Sequence, residues 1–202
     1  KFDPENQVAS QRFFQELIVH REKALPPLVA SFAHQSTIRR AVFSPDGART
    51  VTASTDKTAK LWDVTSGELI TSFAHQDGVQ WAAFSPDGAR ILTASTDKTA
   101  KLWDPTSGKL IASFAHQDGV SAAAFSPDGA RILTGSADST AKLWDVASVN
   151  LIASFAHQGA VKAVAFSPDG ARMLTGSADK TAKLWDTASD KLIASFAHQH
   201  PV

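Results

Sequence analysis

The sequence predicts an all-β protein made of four tandem copies of one small antiparallel sheet, and three observations carry that prediction. Phe32, Phe73, Phe114, Phe155 and Phe196 each open a Phe-Ala-His-Gln quartet, and successive quartets lie 41 residues apart (73 − 32 = 41). Trp62, Trp103, Trp144 and Trp185 keep the same step inside Lys-Leu-Trp-Asp. So do Phe43, Phe84, Phe125 and Phe166 inside Phe-Ser-Pro-Asp-Gly. A fixed period without insertion or deletion marks a repeat architecture, where each unit buries its apolar face against its neighbours.

The first element expected is a helix. Asp3 caps and Pro4 occupies the first helical position. Phe14, Leu17, Ile18 and Leu25 fall at helical spacings, with Phe13 beside them, and Pro26-Pro27 ends the run. Residues 1–27 therefore read as an amphipathic helix, over about residues 5 to 24, and a Pro-Pro linker. It would either cover an exposed sheet face or connect to an upstream domain. Residues 28–202 read as the four units plus one extra outer strand, Leu28–Phe32, with no sheet of its own before it. The chain opens on Lys1 and not Met, which reads as a fragment of something longer or a trimmed chain.

Within a unit the second copy is representative. Val79–Phe84 is a short apolar run, closed by Ser85-Pro86-Asp87-Gly88. Pro presets φ, Asp tolerates the second turn position, and Gly takes the positive φ that follows. Arg90–Ser95 is the next strand, with Ile91, Thr93 and Ser95 on one face and Leu92 and Ala94 on the other. Thr96-Asp97-Lys98 reverses the chain into Thr99–Trp103. Asp104 to Gly108 turns it again into Leu110–Phe114. Four short antiparallel strands per unit describe one blade of a β-propeller. No unit carries the periodicity of a long helix.

The period, the Trp-Asp at the end of the third strand, the Phe-Ser-Pro-Asp-Gly turn and the Ser-x-Asp-x-Thr stretch together resemble the WD40 β-propeller family, over roughly residues 28 to 198. The family's Gly-His before the first strand stands here as Ala-His. The resemblance implies a structural hydrogen-bond network in each blade. Blade one would use His34, Thr52, Asp56 and Trp62, and blade two His75, Thr93, Asp97 and Trp103. Blade three would use His116, Thr134, Asp138 and Trp144, and blade four His157, Thr175, Asp179 and Trp185. An imidazole can join a hydroxyl at one nitrogen to a carboxylate at the other, while an indole N–H donates to the hydroxyl.

That reading removes the apparent chemistry. Thr, His and Asp are hydrolase residue types, but four equivalent copies explained by strand locking argue against catalysis. Five equally spaced His residues would lie in different blades, too far apart for ligation at ~2 Å. His198 and His200 read as part of an unstructured end. No enzyme, metal or cofactor is expected. Lys+Arg and Asp+Glu balance at 20 each, so net charge advertises no nucleic-acid face. No apolar run approaches the ~20 residues that span a bilayer. The absence of Cys fits a reducing, cytoplasmic compartment.

Divergence between the copies points elsewhere. At the start of the first strand the equivalent pairs are Arg39-Arg40, Gln80-Trp81, Ser121-Ala122 and Lys162-Ala163. In the resembled family this stretch lies near the rim of the central channel, where peptides and partner domains dock. Arg39, Arg40, Gln80, Trp81, Ser121 and Lys162 form a candidate partner-binding rim. Trp81 either anchors a partner or fills a gap between blades. The expected function is a non-catalytic interaction or sensing scaffold, one portion of a larger bacterial-type signalling protein. The alternative is a self-assembly module. Closure motivates it, since propellers span about four to eight blades and the family's bulky interblade layers suit larger rings. Four such blades make about half a ring with two apolar ends, so the expected partner is a second copy, in a twofold eight-bladed dimer. Leu28–Phe32 and Leu192–Phe196 would then compete for one edge at each junction.

Overall fold

A computed structural model of the chain describes residues 30–199, and the expected N-terminal helix falls outside them. Sixteen strands follow one another in sequence order. Blade one is β1 (Ile38–Phe43), β2 (Arg49–Ser54), β3 (Thr58–Asp63) and β4 (Leu69–Ala74). Blade two is β5 (Val79–Phe84), β6 (Ile91–Ser95), β7 (Thr99–Trp103) and β8 (Leu110–Ala115). Blade three is β9 (Val120–Phe125), β10 (Arg131–Ser136), β11 (Thr140–Asp145) and β12 (Leu151–Ala156). Blade four is β13 (Val161–Phe166), β14 (Arg172–Ser177), β15 (Thr181–Asp186) and β16 (Leu192–Ala197). Each blade is one antiparallel sheet, paired in the order in which its strands occur. There is no helix among the described residues. Of the expected extra outer strand, residues 28–29 lie outside the described range, and residues 30–32 belong to no strand.

The turns follow from the sequence. In each Phe-Ser-Pro-Asp-Gly segment the Gly (47, 88, 129 or 170) has φ near +70°, open to a residue without Cβ. The Ser hydroxyl of each donates to the Asp two residues on, fixing the reversal. The first strand of each blade also carries a bulge. Register is lost between Ile38 and Arg40, Val79 and Trp81, Val120 and Ala122, and Val161 and Ala163. The bulged residues are thus Arg39, Gln80, Ser121 and Lys162. A bulge re-aims its side chain away from the regular ladder.

Between blades lie three apolar layers, built from the two faces of each alternating strand. Blade one presents Val51, Leu61 and Phe73 to Val79, Ile91 and Trp103 of blade two. Blade two presents Leu92, Leu102 and Phe114 to Val120, Ile132 and Trp144. Blade three presents Leu133, Leu143 and Phe155 to Val161, Met173 and Trp185. Among the described residues the series stops there, with one sheet face at each end not covered by a further blade. Leu174, the counterpart of the fully buried Leu92 and Leu133, is 42% exposed. Ile38 and Phe43 on blade one are 42% and 66% exposed.

One layer is cut differently. Ala53 and Ala82 meet in the first layer, and Ala94 and Ala123 in the second. In the third, Gly135 replaces the first Ala and Val164 the second. A Cβ on Gly135 would fall 2.8 Å from Val161 Cγ1 and 3.0 Å from Val164 Cγ1, so the two substitutions compensate. Gly135→Ala is expected to lower stability by about 1–3 kcal/mol through overpacking. Adding Val164→Ala should recover most of that loss, as measured by denaturant unfolding of the single and double variants.

Candidate functional site

Each blade holds one buried polar set. The His before the first strand places Nε2 2.7 Å from a Thr hydroxyl, in the pairs His34–Thr52, His75–Thr93, His116–Thr134 and His157–Thr175. Its Nδ1 lies 2.7, 2.8, 2.9 and 3.0 Å from Oδ2 of Asp56, Asp97, Asp138 and Asp179 respectively. The indole N–H of Trp62, Trp103, Trp144 or Trp185 donates to the same Thr hydroxyl at 2.8–2.9 Å. With Nδ1–H donating to the carboxylate and the Thr hydroxyl donating to Nε2, every group finds a partner in a neutral imidazole.

Burial pushes His75, His116 and His157 below the ordinary imidazole range, against the opposing pull of their carboxylates. Burial also raises the carboxyls, but donated hydrogen bonds outweigh it. Those from Thr140, the Gln117 N–H and His116 lower Asp138 to about 2. Asp56 and Asp179 are held well below the carboxylate range by the equivalent donors, and Asp97 is lowered too. A Thr whose hydroxyl already accepts from an indole and is enclosed by the blade is not poised as a nucleophile. No group of three or more His, Cys, Asp or Glu is placed to hold a metal among the described residues.

The six rim residues converge on a different place. Arg39, Arg40, Gln80, Trp81, Ser121 and Lys162 all line one concavity of about 550 Å³, together with Thr96, Asp118, Gly119 and Ala137. The bulges supply Arg39, Gln80, Ser121 and Lys162. The next position in register supplies Arg40 and Trp81, where blades three and four have Ala. The Arg40 guanidinium lies over the Trp81 ring, Cζ 3.5 Å from the centroid, and its Nε donates to the Ala82 carbonyl at 3.1 Å. Burial lowers Arg40 below its ordinary value, though a guanidinium stays charged. Trp81 packs against both the second and third interblade layers. It therefore fills space between blades and forms the floor of the concavity at once. Its Nε1–H is buried with no acceptor among the described residues.

Asp118 was not foreseen in this site. It belongs to the loop position occupied by Ser36, Asp77, Asp118 and Gly159, which also varies between copies, and that variation was the available signal. Its carboxylate accepts from the Gly119 N–H at 2.7 Å. His198, expected in an unstructured end, instead donates its backbone N–H to the Lys180 carbonyl at 2.7 Å, as His75 does to Lys57.

A family model described as "WD domain, G-beta repeat" matches residues 26–63, 67–104, 108–145 and 149–186. A search of curated proteins finds none that matches this chain.

Acid should weaken the fold in two stages. His75, His116 and His157 stay neutral while unfolded imidazoles take a proton below about pH 6.5, so stability begins to fall there. The depressed carboxyls add stability that is full above about pH 4 and is lost as pH falls through their folded values. Urea titrations across this range should show a loss that steepens below about pH 4. Thr93→Val, which strands the Trp103 indole N–H and His75 Nε2, should cost about 1–3 kcal/mol in the same assay.

Proposed function

The chain belongs to the WD40 family, whose repeats are generally non-catalytic protein-interaction scaffolds, and we propose that this one recognises an acidic peptide segment at the Arg40–Trp81 concavity. One observation carries the reading. In a chain with no net charge, Arg39, Arg40 and Lys162 gather around a single carboxylate, Asp118, and an aromatic floor. Arg and Trp are the residue types that most often dominate binding energy, and both are held in place before any partner arrives. The stacked guanidinium keeps N–H groups to offer a carboxylate. Gln80 and Ser121 add neutral donors and acceptors along the same edge.

A second reading, self-association, rests on the exposed Leu174, Ile38 and Phe43, whose counterparts in the interior layers are covered by a neighbouring blade. In this reading two copies complete one ring. The two readings are compatible, because Arg39 and Arg40 line the concavity while Ile38 and Phe43, on the same strand, take positions that a neighbouring blade covers in the interior layers.

Titration with a synthetic Glu-rich peptide tests the first reading. Arg40→Ala should weaken binding by about 2 kcal/mol or more, and Arg39→Ala and Lys162→Ala by less. Added salt should reduce affinity in the unmodified chain more than in Arg40→Ala. Equal affinity in all four chains would overturn the proposal.

A further inference from the structure

The quartet Phe32-Ala33-His34-Gln35 is identical in sequence to Phe196-Ala197-His198-Gln199. The first is docked on blade one. The Phe32 ring centroid lies 5.4 Å from that of Trp62, His34 joins Thr52 and Asp56, the Gln35 N–H donates to Asp56, and Lys60 Nζ donates to the Ala33 carbonyl. Every interior junction has the same contacts. Phe73, Phe114 and Phe155 sit on Trp103, Trp144 and Trp185 at 4.8–5.4 Å, each projecting from the outer strand of the preceding blade. Among the described residues the last quartet sits in no such socket. Phe196 is 50% exposed where Phe73 and Phe114 are fully buried.

Resting on the self-association reading above, we infer that two copies join by exchanging these quartets. Phe196–Gln199 of one copy takes the slot on blade one of the other that Phe32–Gln35 fills in the single chain. The two claimants are chemically equal but differently supported. Phe196 projects from β16, fully paired to β15, as Phe155 projects from β12. The His198 N–H is already bonded to Lys180, as the His157 N–H is to Ser139. Phe32 follows backbone that pairs in no strand over residues 30–32. Exchanging one quartet for another is therefore neutral in its own contacts. The gain comes from what the exchange brings together: Leu174 against the partner subunit's Ile38 and Phe43, in the relation that Leu133 has to Val161 and Phe166. The cost is local concentration, because the chain's own quartet is tethered beside its slot. Phe32–Gln35 thus acts as a competitor that keeps the junction reversible, a domain swap in its simplest form.

Light scattering and sedimentation of full-length chains test this. Phe32→Ala with His34→Ala empties the slot and should tighten dimer formation at least tenfold, with circular dichroism checking that blade one stays folded. Phe196→Ala with His198→Ala, on the open end, should remove association and with it any concentration dependence of the unfolding midpoint, leaving the midpoint of the dilute monomer unchanged, and it keeps the test decisive should the first variant fail to fold. Association that survives loss of Phe196 and His198 would overturn the exchange while leaving self-association standing. The absence of any dimer in the unmodified chain and in the slot-emptied chain would overturn both.

Discussion

One buried carboxylate per blade holds the unit together. Asp56, Asp97, Asp138 and Asp179 each spend one oxygen on the turn that follows, accepting the backbone N–H and hydroxyl of the Thr two residues on. The other oxygen accepts from the His imidazole and the next backbone N–H of the loop leading into the blade. For Asp97, Asp138 and Asp179 that loop begins at the outer strand of the preceding sheet, so the carboxylate closes a turn within one blade and ties the preceding blade to it. The residue between each Asp and Thr (Lys57, Lys98, Ser139 or Lys180) adopts positive φ without being Gly, a conformation that persists where surrounding contacts impose it.

Placing the polar sets between strands has a functional corollary. The His, Thr and Asp of each polar set are committed, four times over, to holding the sheets in register. What is left to vary are positions that face away from the layers, and the bulges multiply them. A regular first strand would send alternate residues into the layers. The extra residue in each blade instead turns Arg39, Gln80, Ser121 and Lys162 toward one shared concavity. Sequence change can then alter the lining of the concavity without touching the cores, while Trp81 belongs to both.

Much of this was legible in the sequence because the signals were local and repeated. The strand expected at Val79–Phe84 forms over those residues, and that expected at Arg90–Ser95 begins one residue later, at Ile91. The His–Thr–Asp–Trp partners could be named because the repeat resembles the WD40 family, whose blade network the resemblance implies at those positions. Divergence between copies brought out the six rim residues. The bulges were not legible, since they arise from the pairing of two strands and leave no mark in one. Asp118 was missed because its loop is distant in sequence from the strands whose bulges it faces. The 30–32 backbone reads as a strand by composition, yet a strand needs a partner edge, and a sequence cannot say whether one is present.

Near-identical blades also raise the question of how the chain knows its own order. Four interchangeable sockets and five interchangeable quartets would let a folding chain dock a quartet one blade out of step, forming native-like contacts in the wrong place. Repeat proteins are prone to such misassembly. Gly135 and Val164 work as an address in this respect. The Val164 side chain would meet the methyl of Ala53 or Ala94 if blade four stacked on blade one or two, and it meets Gly135 on blade three. A pair of small changes in one layer thus gives a periodic chain a direction and a count.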